Sequence, residues 1–262
     1  MSPKIKTARK DLEKIPIVSS KRKHKWRACS LGQHWVRSHP RRVKVTKKNP
    51  TGYTDVEGHC RHNRSKKDEI YKDELDKIAN EYFDNLRGKP FPCDLGFNKT
   101  KTYNGNSYDK LIRGWTKYWN EVLKPNEPLD PDLVKALIAS ESSFNKDSKN
   151  PAGKGNMARG LMQVTDETLK ILKDEKGEIK NHLIDLDQKD MYNPNANICA
   201  GIRWLFRKKE TASARLKRVA TWEEAVAEYK SYLRLLLKAP KVGIKNFEKF
   251  KSYYDKLKNE CS

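Results

Sequence analysis

From residue 68 onward, apolar residues recur at the three- and four-residue spacing of amphipathic helices, and several helix starts are marked by capping residues. Asp130 followed by Pro131 marks one start, because the aspartate can cap free N–H groups and proline fits the first helical position. Thr221 marks another, since a glutamate follows it three residues later, as in a capping box. The pattern predicts a mainly α-helical domain over residues 68–262.

The apolar spacing also predicts the extent of each helix. The polar, glycine-bearing residues 145–159 and the charged residues 173–189 break the pattern and are predicted to be loops. We expect helices over residues 68–87, 108–123 and 130–144, after Thr165, from Asn193, from Thr221 to Pro240, and over residues 244–257.

The first 67 residues have a different composition. They hold twenty Lys and Arg against four Asp and Glu, a net charge of +16 out of the +22 of the 262-residue chain. We interpret residues 1–25 as a flexible basic arm. Residues 26–64 interleave Trp, Val and Tyr with turn residues such as Asn49-Pro50-Thr51-Gly52, which is typical of short strands and a hairpin. The chain is therefore predicted to join a small basic β-rich module, residues 1–67, to the helical domain.

Two stretches of this module repeat the pattern Val-x-x-His-x-Arg, from Val36 and from Val56, which predicts two similar β units. Mixed Cys and His side chains in the same region suit tetrahedral zinc. Their spacing fits no standard zinc finger, so we favour a basic β module without a cofactor and keep structural zinc as the alternative. The five cysteines of the chain form no evident disulfide framework. The candidate metal ligands are Cys29, His34, His39, His59, Cys60 and His62.

The net charge of +22 indicates an anionic partner, which could be nucleic acid, a membrane surface or an anionic cell wall. No apolar run approaches the ~20 residues that a transmembrane helix needs. The basic residues of Met1–Lys14 are not followed by an apolar stretch, so no secretory signal is recognisable in this chain. A role outside the cytoplasm would therefore require another route of release or a leader that has been removed.

Glu141 lies on the apolar side of the helix predicted from Asp130. It follows Leu137 by four residues and Ile138 by three, so it shares their face. A carboxylate held against an apolar wall, near the negative end of a helix dipole, is harder to ionise, which is what a general acid at neutral pH requires. From this helix alone, however, a buried glutamate paired with a basic residue is the better interpretation.

Glu141 also stands in the first of four short blocks that follow one another in a fixed order. The blocks are Ala136–Asn145, Asn150-Pro151-Ala152-Gly153, Gly160-Leu161-Met162-Gln163 and Asn197-Ile198-Cys199-Ala200-Gly201, the last followed by a helix bearing Tyr229. Together they resemble the lysozyme-like catalytic domain of the soluble type of lytic transglycosylase, and the resemblance covers residues 108–233.

The resemblance implies cleavage of the MurNAc–GlcNAc β-1,4 bond of peptidoglycan, with Glu141 as the catalytic residue. In this family one glutamate protonates the leaving oxygen and then takes the proton of the muramic acid C6 hydroxyl, which leaves a 1,6-anhydro end. Ser142, Asn150, Gln163 and Tyr229 are the corresponding candidates for binding the glycan strand. We expect the basic module to hold the enzyme on anionic wall or envelope polymers.

Such an enzyme acts at the cell wall or in the periplasm. With no signal peptide in the chain, we expect export by a holin, by a specialised secretion system, or by means of a leader since removed. The sequence does not distinguish among these routes.

Other functions stay open at this point. A hydrolase needs a water and usually a second carboxylate, for which Asp166 and Asp147 are candidates; goose-type lysozymes also have an Asp soon after a similar Gly-Leu-Met-Gln-Val block. An inactive lysozyme-like protein could instead bind nucleic acid or the envelope, but no nucleic-acid motif is recognisable. The chain departs from the family by an insertion between Gly153 and Gly160, and by Lys230 where asparagine is usual.

Overall fold

The computed structural model describes residues 25–65, 67–83, 105–239 and 243–259. Within these residues it contains eight α-helices and nine short strands, which confirms a mainly helical fold preceded by a strand-rich segment. Nearly all of the predicted basic arm, residues 1–24, lies outside the described residues. None of the described helices is long and apolar enough to cross a membrane.

The helices are α1 (Lys72–Tyr82), α2 (Asp109–Leu123), α3 (Pro131–Ser142), α4 (Asp166–Lys173), α5 (Pro194–Leu216), α6 (Trp222–Tyr229), α7 (Leu233–Lys238) and α8 (Lys245–Asn259). The strands are β1 (Gln33–Val36), β2 (His39–Arg42), β3 (Tyr53–Val56), β4 (His59–His62), β5 (Glu69–Tyr71), β6 (Lys149–Pro151), β7 (Met157–Arg159), β8 (Val164–Thr165) and β9 (Leu183–Asp185). The predicted caps are present: Asp130, Thr165 and Thr221 each accept a backbone N–H at the start of their helix.

The long helix α5 lies at the centre of the helical core. Its N-terminal half is almost entirely buried, and two tryptophans of α2 donate hydrogen bonds to it. Trp115 Nε1 lies 2.7 Å from the Asn195 side-chain oxygen, and Trp119 Nε1 lies 3.0 Å from the backbone oxygen of Cys199. Cys199 is a free cysteine that is buried in this core.

Four of the predicted element assignments are wrong. The helix expected over residues 68–87 begins only at Lys72, because strand β5 precedes it and pairs in parallel with β9. Strand β9 in turn lies inside residues 173–189, which were predicted to be a loop. Ile70, Leu183 and Ile184 are buried, and strand pairing satisfies the backbone groups of these buried segments.

Residues 145–159, also predicted to be a loop, carry two strands of the antiparallel sheet β6-β7-β8. The single helix expected from Thr221 to Pro240 is divided into α6 and α7. Ser231 adopts a left-handed φ of 63° in the turn between them, and the Tyr232 N–H bonds to the carbonyl of Ala227 at 2.7 Å. This turn directs Lys230 toward the end of α3, where Glu141 lies.

The N-terminal strands form the predicted hairpin. Val36 pairs with His59 and His39 pairs with Val56, so β1–β4 and β2–β3 keep one register through a break at residues 37–38 and 57–58. A disulfide joins Cys29 to Cys60, with Cα atoms 5.6 Å apart. The expectation of no disulfide framework is wrong for this pair, because the irregular spacing of cysteines along the chain says nothing about how a hairpin folds back.

The residues before the hairpin pack into the helical core. Trp26 lies edge-on against Tyr82, Phe83 and Tyr118. Arg27 is fully buried and forms ion pairs with Asp68 and Glu74. Burial alone would lower the pKa of Arg27, but the two carboxylates raise it above its usual range. The domain boundary predicted between residues 67 and 68 stays a prediction. Arg27, on its N-terminal side, pairs with Asp68 and Glu74 on its C-terminal side.

Candidate active site

A cleft of about 640 Å³ opens between the end of α3, the sheet β6-β7-β8, helix α4 and the turn after α6. Four of the sequence-predicted site residues line it, although they come from four separate parts of the chain: Glu141, Asn150, Gln163 and Tyr229. The fold therefore brings together residues that lie up to 88 positions apart in the sequence.

Glu141 is placed by the last turn of α3. The helix begins as predicted, with Asp130 accepting the Asp132 N–H at 2.9 Å and Pro131 in the first turn. Leu137 and Ile138 are fully buried, and the carboxylate at the next turn is 18% exposed at the cleft wall. The Glu141 side chain is thus mostly buried, with a small part of its surface open to the cleft.

Two successive residues after α3 adopt left-handed backbone angles, Ser143 with φ 50° and Phe144 with φ 63°. A bulky residue rarely adopts such a φ, and it is held there only by its surroundings. Phe144 is fully buried and packs so closely that a Cβ on Gly105 would lie 2.7 Å from its ring. This packing fixes the chain direction directly after Glu141.

Lys230 forms an ion pair with Glu141, with Nζ 2.7 Å from Oε1. The Lys230 side chain is 5% exposed, so its end of the ion pair is largely shielded from water. Among the described residues, no group hydrogen-bonds Oε2 of Glu141. The pairing of Glu141 with a basic residue, which the helix alone indicated, is therefore present, although the glutamate is partly exposed. Its partner, Lys230, is one of the positions at which the chain departs from the family pattern.

The third and fourth sequence blocks meet at the backbone of Met162. The Asn197 side chain accepts the Met162 N–H at 2.8 Å, and its amide group donates to the carbonyls of Arg159 at 2.9 Å and Met191 at 3.0 Å. The hydroxyl of Tyr229 donates to the carbonyl of Met162 at 2.7 Å. Both backbone groups of Met162 are thus held by side chains from distant helices, α5 and α6.

The glycines of the third and fourth sequence blocks, Gly160 and Gly201, are required for steric reasons. A Cβ on Gly160, which has φ +75°, would lie 2.2 Å from the carbonyl oxygen of Met191. A Cβ on Gly201 would lie 2.4 Å from the sulfur of Met162. Any side chain at either position would push the turn away from α5 and move Gln163.

Gln163 projects from this turn into the cleft. Its amide donates to the carbonyl of Gly160 at 2.9 Å, and its side-chain oxygen accepts a hydrogen bond from Asn150 at 2.8 Å. Gln163 and Asn150 therefore form one polar unit on the cleft wall. This contact links the second and third sequence blocks.

Tyr229 is a sequence candidate for binding the glycan strand, and its hydroxyl donates to the carbonyl of Met162. Burial raises the pKa of Tyr229 well above its usual value, and the nearby charge of Glu141 acts in the same direction. The hydroxyl thus stays protonated and remains a donor.

The other sequence candidates do not line the cleft. Ser142 bonds locally to the carbonyl of Ile138 at 3.3 Å. Asp147 is exposed and pairs with Lys146 at 2.8 Å. Asp166 is 9% exposed and forms an ion pair with Arg159 beneath the sheet. No finding tests their roles, which stay predictions.

Two carboxylates that the sequence reasoning did not single out do line the cleft, Glu167 and Glu178. Glu167 lies in the first turn of α4, where a carboxylate also favours the helix dipole, and the sequence carries no signal for Glu178. Trp204 and Lys208 of α5 also line the cleft, with the Lys208 ammonium 4.5 Å from the Trp204 ring centre. Burial lowers the pKa of Lys208.

No group of three or more His, Cys, Asp or Glu side chains is placed to hold a metal ion within the part of the chain that the structure describes. In the N-terminal candidate set, the disulfide occupies the thiols of Cys29 and Cys60. The zinc alternative stays an untested prediction for the four histidines of that set.

Comparison with known protein families matches residues 118–235 to the family described as Transglycosylase SLT domain. This range includes Glu141, the sheet β6-β7-β8, the Met162 turn and Lys230. Neither the search of curated proteins nor the search of solved structures gave a match.

Proposed function

We propose that residues 118–235, which match the family described as Transglycosylase SLT domain, form the catalytic domain of a lytic transglycosylase, and that its cleft cleaves the MurNAc–GlcNAc β-1,4 bond with Glu141 as the catalytic residue. Proteins with this domain act on peptidoglycan, outside the cytoplasm. The observation that supports the assignment is the position of Glu141 at the wall of the same cleft that the polar unit of Asn150 and Gln163 lines.

In the proposed reaction, Glu141 first donates a proton to the glycosidic oxygen as the bond to the muramic acid C1 breaks. The C6 hydroxyl of the same sugar then attacks C1 and gives its proton back to Glu141. The new C6–O–C1 bond replaces the broken one, so no water is consumed and the product carries a 1,6-anhydro end. Asn150 and Gln163 would bind polar groups of the glycan in the same cleft.

Lys230 enters this mechanism as a positioning residue. It holds Oε1 of Glu141 and leaves Oε2 as the oxygen that can reach the substrate. The ion pair fixes the orientation of the carboxyl group at the cleft wall, so Lys230 would hold Oε2 in position for both proton transfers.

Hydrolysis is the second candidate, because Glu167 and Glu178 line the same cleft and either could activate a water. The two reactions differ in their products. A transglycosylase releases 1,6-anhydro muropeptides, whereas a hydrolase releases muropeptides with reducing ends.

The test uses the full chain on purified sacculi, followed by turbidity and by mass spectrometry of the released muropeptides. We expect E141Q to lose about 10²–10⁴-fold in rate, the usual contribution of a general acid, while the protein stays folded. E167Q is the matched control, since it makes the same change in another glutamate of the cleft. Full activity of E141Q would refute the assignment, and reducing ends that disappear with E167Q would favour hydrolysis.

A further inference from the structure

The repeated Val-x-x-His-x-Arg pattern forms one surface of the hairpin that the proposed lytic function does not use. In the register of the hairpin, the valine of each copy pairs with the histidine of the other, Val36 with His59 and Val56 with His39. An approximate twofold axis therefore relates the two copies. Their side chains line a groove of about 430 Å³, called here the His/Arg groove, which consists of Val36, His39, Arg41, Val56, His59 and Arg61.

Both histidines of the groove make the same backbone contact. Nδ1 of His39 lies 3.0 Å from the carbonyl oxygen of Arg37, and Nδ1 of His59 lies 3.0 Å from that of Glu57. A carbonyl oxygen only accepts, so each Nδ1 carries the hydrogen. Each neutral imidazole is then left with Nε2 as an acceptor directed away from its own backbone.

The two arginines of the groove supply hydrogen-bond donors, whereas the histidine Nε2 atoms are acceptors. Arg41 and Arg61 are exposed, and neither forms an ion pair with any residue in the described ranges. Arg37, by contrast, is paired with Asp73 at 2.7 Å. A guanidinium group without a carboxylate partner keeps its donors for a ligand, and its planar fork matches phosphate.

The break between the strand pairs β1–β4 and β2–β3, which shapes the groove, is fixed by packing and by the disulfide. A Cβ on Gly58 would lie 2.3 Å from the ring of Trp35, so glycine is required where the strand bends over this tryptophan. The disulfide from Cys60 to Cys29 ties the same strand to the packed segment around Arg27. A groove that is rigid before binding loses less entropy when a ligand is bound.

We propose that the His/Arg groove binds a hydroxylated phosphate polymer of the cell envelope, of the poly(glycerol phosphate) class. The arginines would bind phosphate groups, and each histidine Nε2 would accept a hydroxyl group of the repeating unit. The twofold arrangement offers this pair of contacts twice, which suits a polymer with a short repeat. A bare metal cation fits poorly, because two guanidinium groups line the same groove.

Nucleic acid is the rival ligand. Duplex DNA offers phosphate groups without sugar hydroxyls, so it would leave both Nε2 atoms unused. The choice of an envelope polymer over RNA, which has a free hydroxyl on each ribose, rests on the proposed peptidoglycan substrate.

The test measures binding of the full-length protein to poly(glycerol phosphate) at physiological salt. We expect R41Q/R61Q to weaken binding at least about tenfold, because charge-assisted contacts to phosphate are lost. The matched control is K47Q/K48Q, which removes the same charge from the exposed turn of the same hairpin. Equal losses in the two double variants would overturn the proposal, since they would show diffuse electrostatic attraction without a site.

Two further arms test the hydroxyl contact and the rival. H39F/H59F should reduce binding to poly(glycerol phosphate) while inorganic polyphosphate, which has no hydroxyls, is bound as by the natural chain. Tighter binding of duplex DNA or RNA than of poly(glycerol phosphate), lost equally in R41Q/R61Q, would contradict an envelope ligand. These assays involve no bond cleavage, so their outcome is separate from the E141Q test of the proposed lytic activity.

Discussion

Met162, buried next to Gln163, is held by side chains 35 and 67 residues away along the chain, whereas each histidine of the His/Arg groove is held by a carbonyl two residues away. The first set of contacts is mostly buried and depends on helices α5 and α6 packing correctly. The second set is exposed and depends only on the hairpin. We therefore expect changes in the cleft to affect folding and function together, and changes in the groove to affect binding alone.

The largest effect is expected for Asn197→Ala. This substitution leaves the Met162 N–H and the carbonyls of Arg159 and Met191 without their partner in a buried site. Because each such group costs about 1–3 kcal/mol, we expect the free energy of unfolding to fall by about 3 kcal/mol or more. Urea unfolding followed by circular dichroism measures it, and the lytic rate should fall as Gln163 moves.

Asn246→Ala is the control for that substitution, since Asn246 is exposed at the edge of the same cleft. Its free energy of unfolding should stay within about 0.5 kcal/mol of the natural chain. The free energy of unfolding of R41Q/R61Q should also stay within this range, which tests the difference between the cleft and the groove directly. A groove variant that destabilises the protein as much as Asn197→Ala would break the distinction between the two regions.

A smaller effect is expected for Tyr229→Phe, which removes one hydrogen bond to the carbonyl of Met162 and keeps the ring. The free energy of unfolding should fall by about 1–2 kcal/mol. If Tyr229 acts only through Met162, the pH profile of the lytic rate should keep its shape. A displaced profile would show that the hydroxyl also acts on Glu141.

The sequence predicted the parts of the molecule that local chemistry determines. The caps at Asp130, Thr165 and Thr221 and the turn at residues 49–52 each depend on residues within a few positions, and all are present. The parallel pairing of β5 with β9 and the Cys29–Cys60 disulfide depend on residues that meet only in the folded chain. No local pattern could indicate them.

The same division applies to the cleft. Family resemblance selected Ser142 and four further residues, and the fold brings those four into one cleft: Glu141, Asn150, Gln163 and Tyr229. The family resemblance could not indicate the ion pair between Lys230 and Glu141, because Lys230 reaches Glu141 only through the turn that ends α6. That turn was missed, since apolar spacing continues across it from α6 into α7.

Lys230→Asn, which restores the residue usual in the family, tests the ion pair. Without the ammonium group, Oε1 of Glu141 loses its hydrogen bond and the carboxylate is held less firmly at the cleft wall, so we expect the lytic rate to fall by about tenfold or more. Rates on purified sacculi measure it. Lys208→Gln removes a positive charge from the same cleft without touching this ion pair, and it should lower the rate much less; equal losses in both variants would argue against a specific pair.

The smallest effect is expected at the other end of α3. Burial, followed by the charge of Asp130, raises the pKa of Asp132 to about 6. Because a raised folded-state pKa means that folding disfavours the ionised form, the contribution of Asp132 to stability is full below about pH 4 and is lost as pH rises through 6. Asp132→Asn should therefore raise the melting temperature at pH 8 relative to the natural chain, with no gain at pH 4. A melting temperature of Asp132→Asn that falls at pH 8 would instead show that the helix dipole, which favours a negative charge in this first turn, outweighs burial at the start of the helix that carries Glu141.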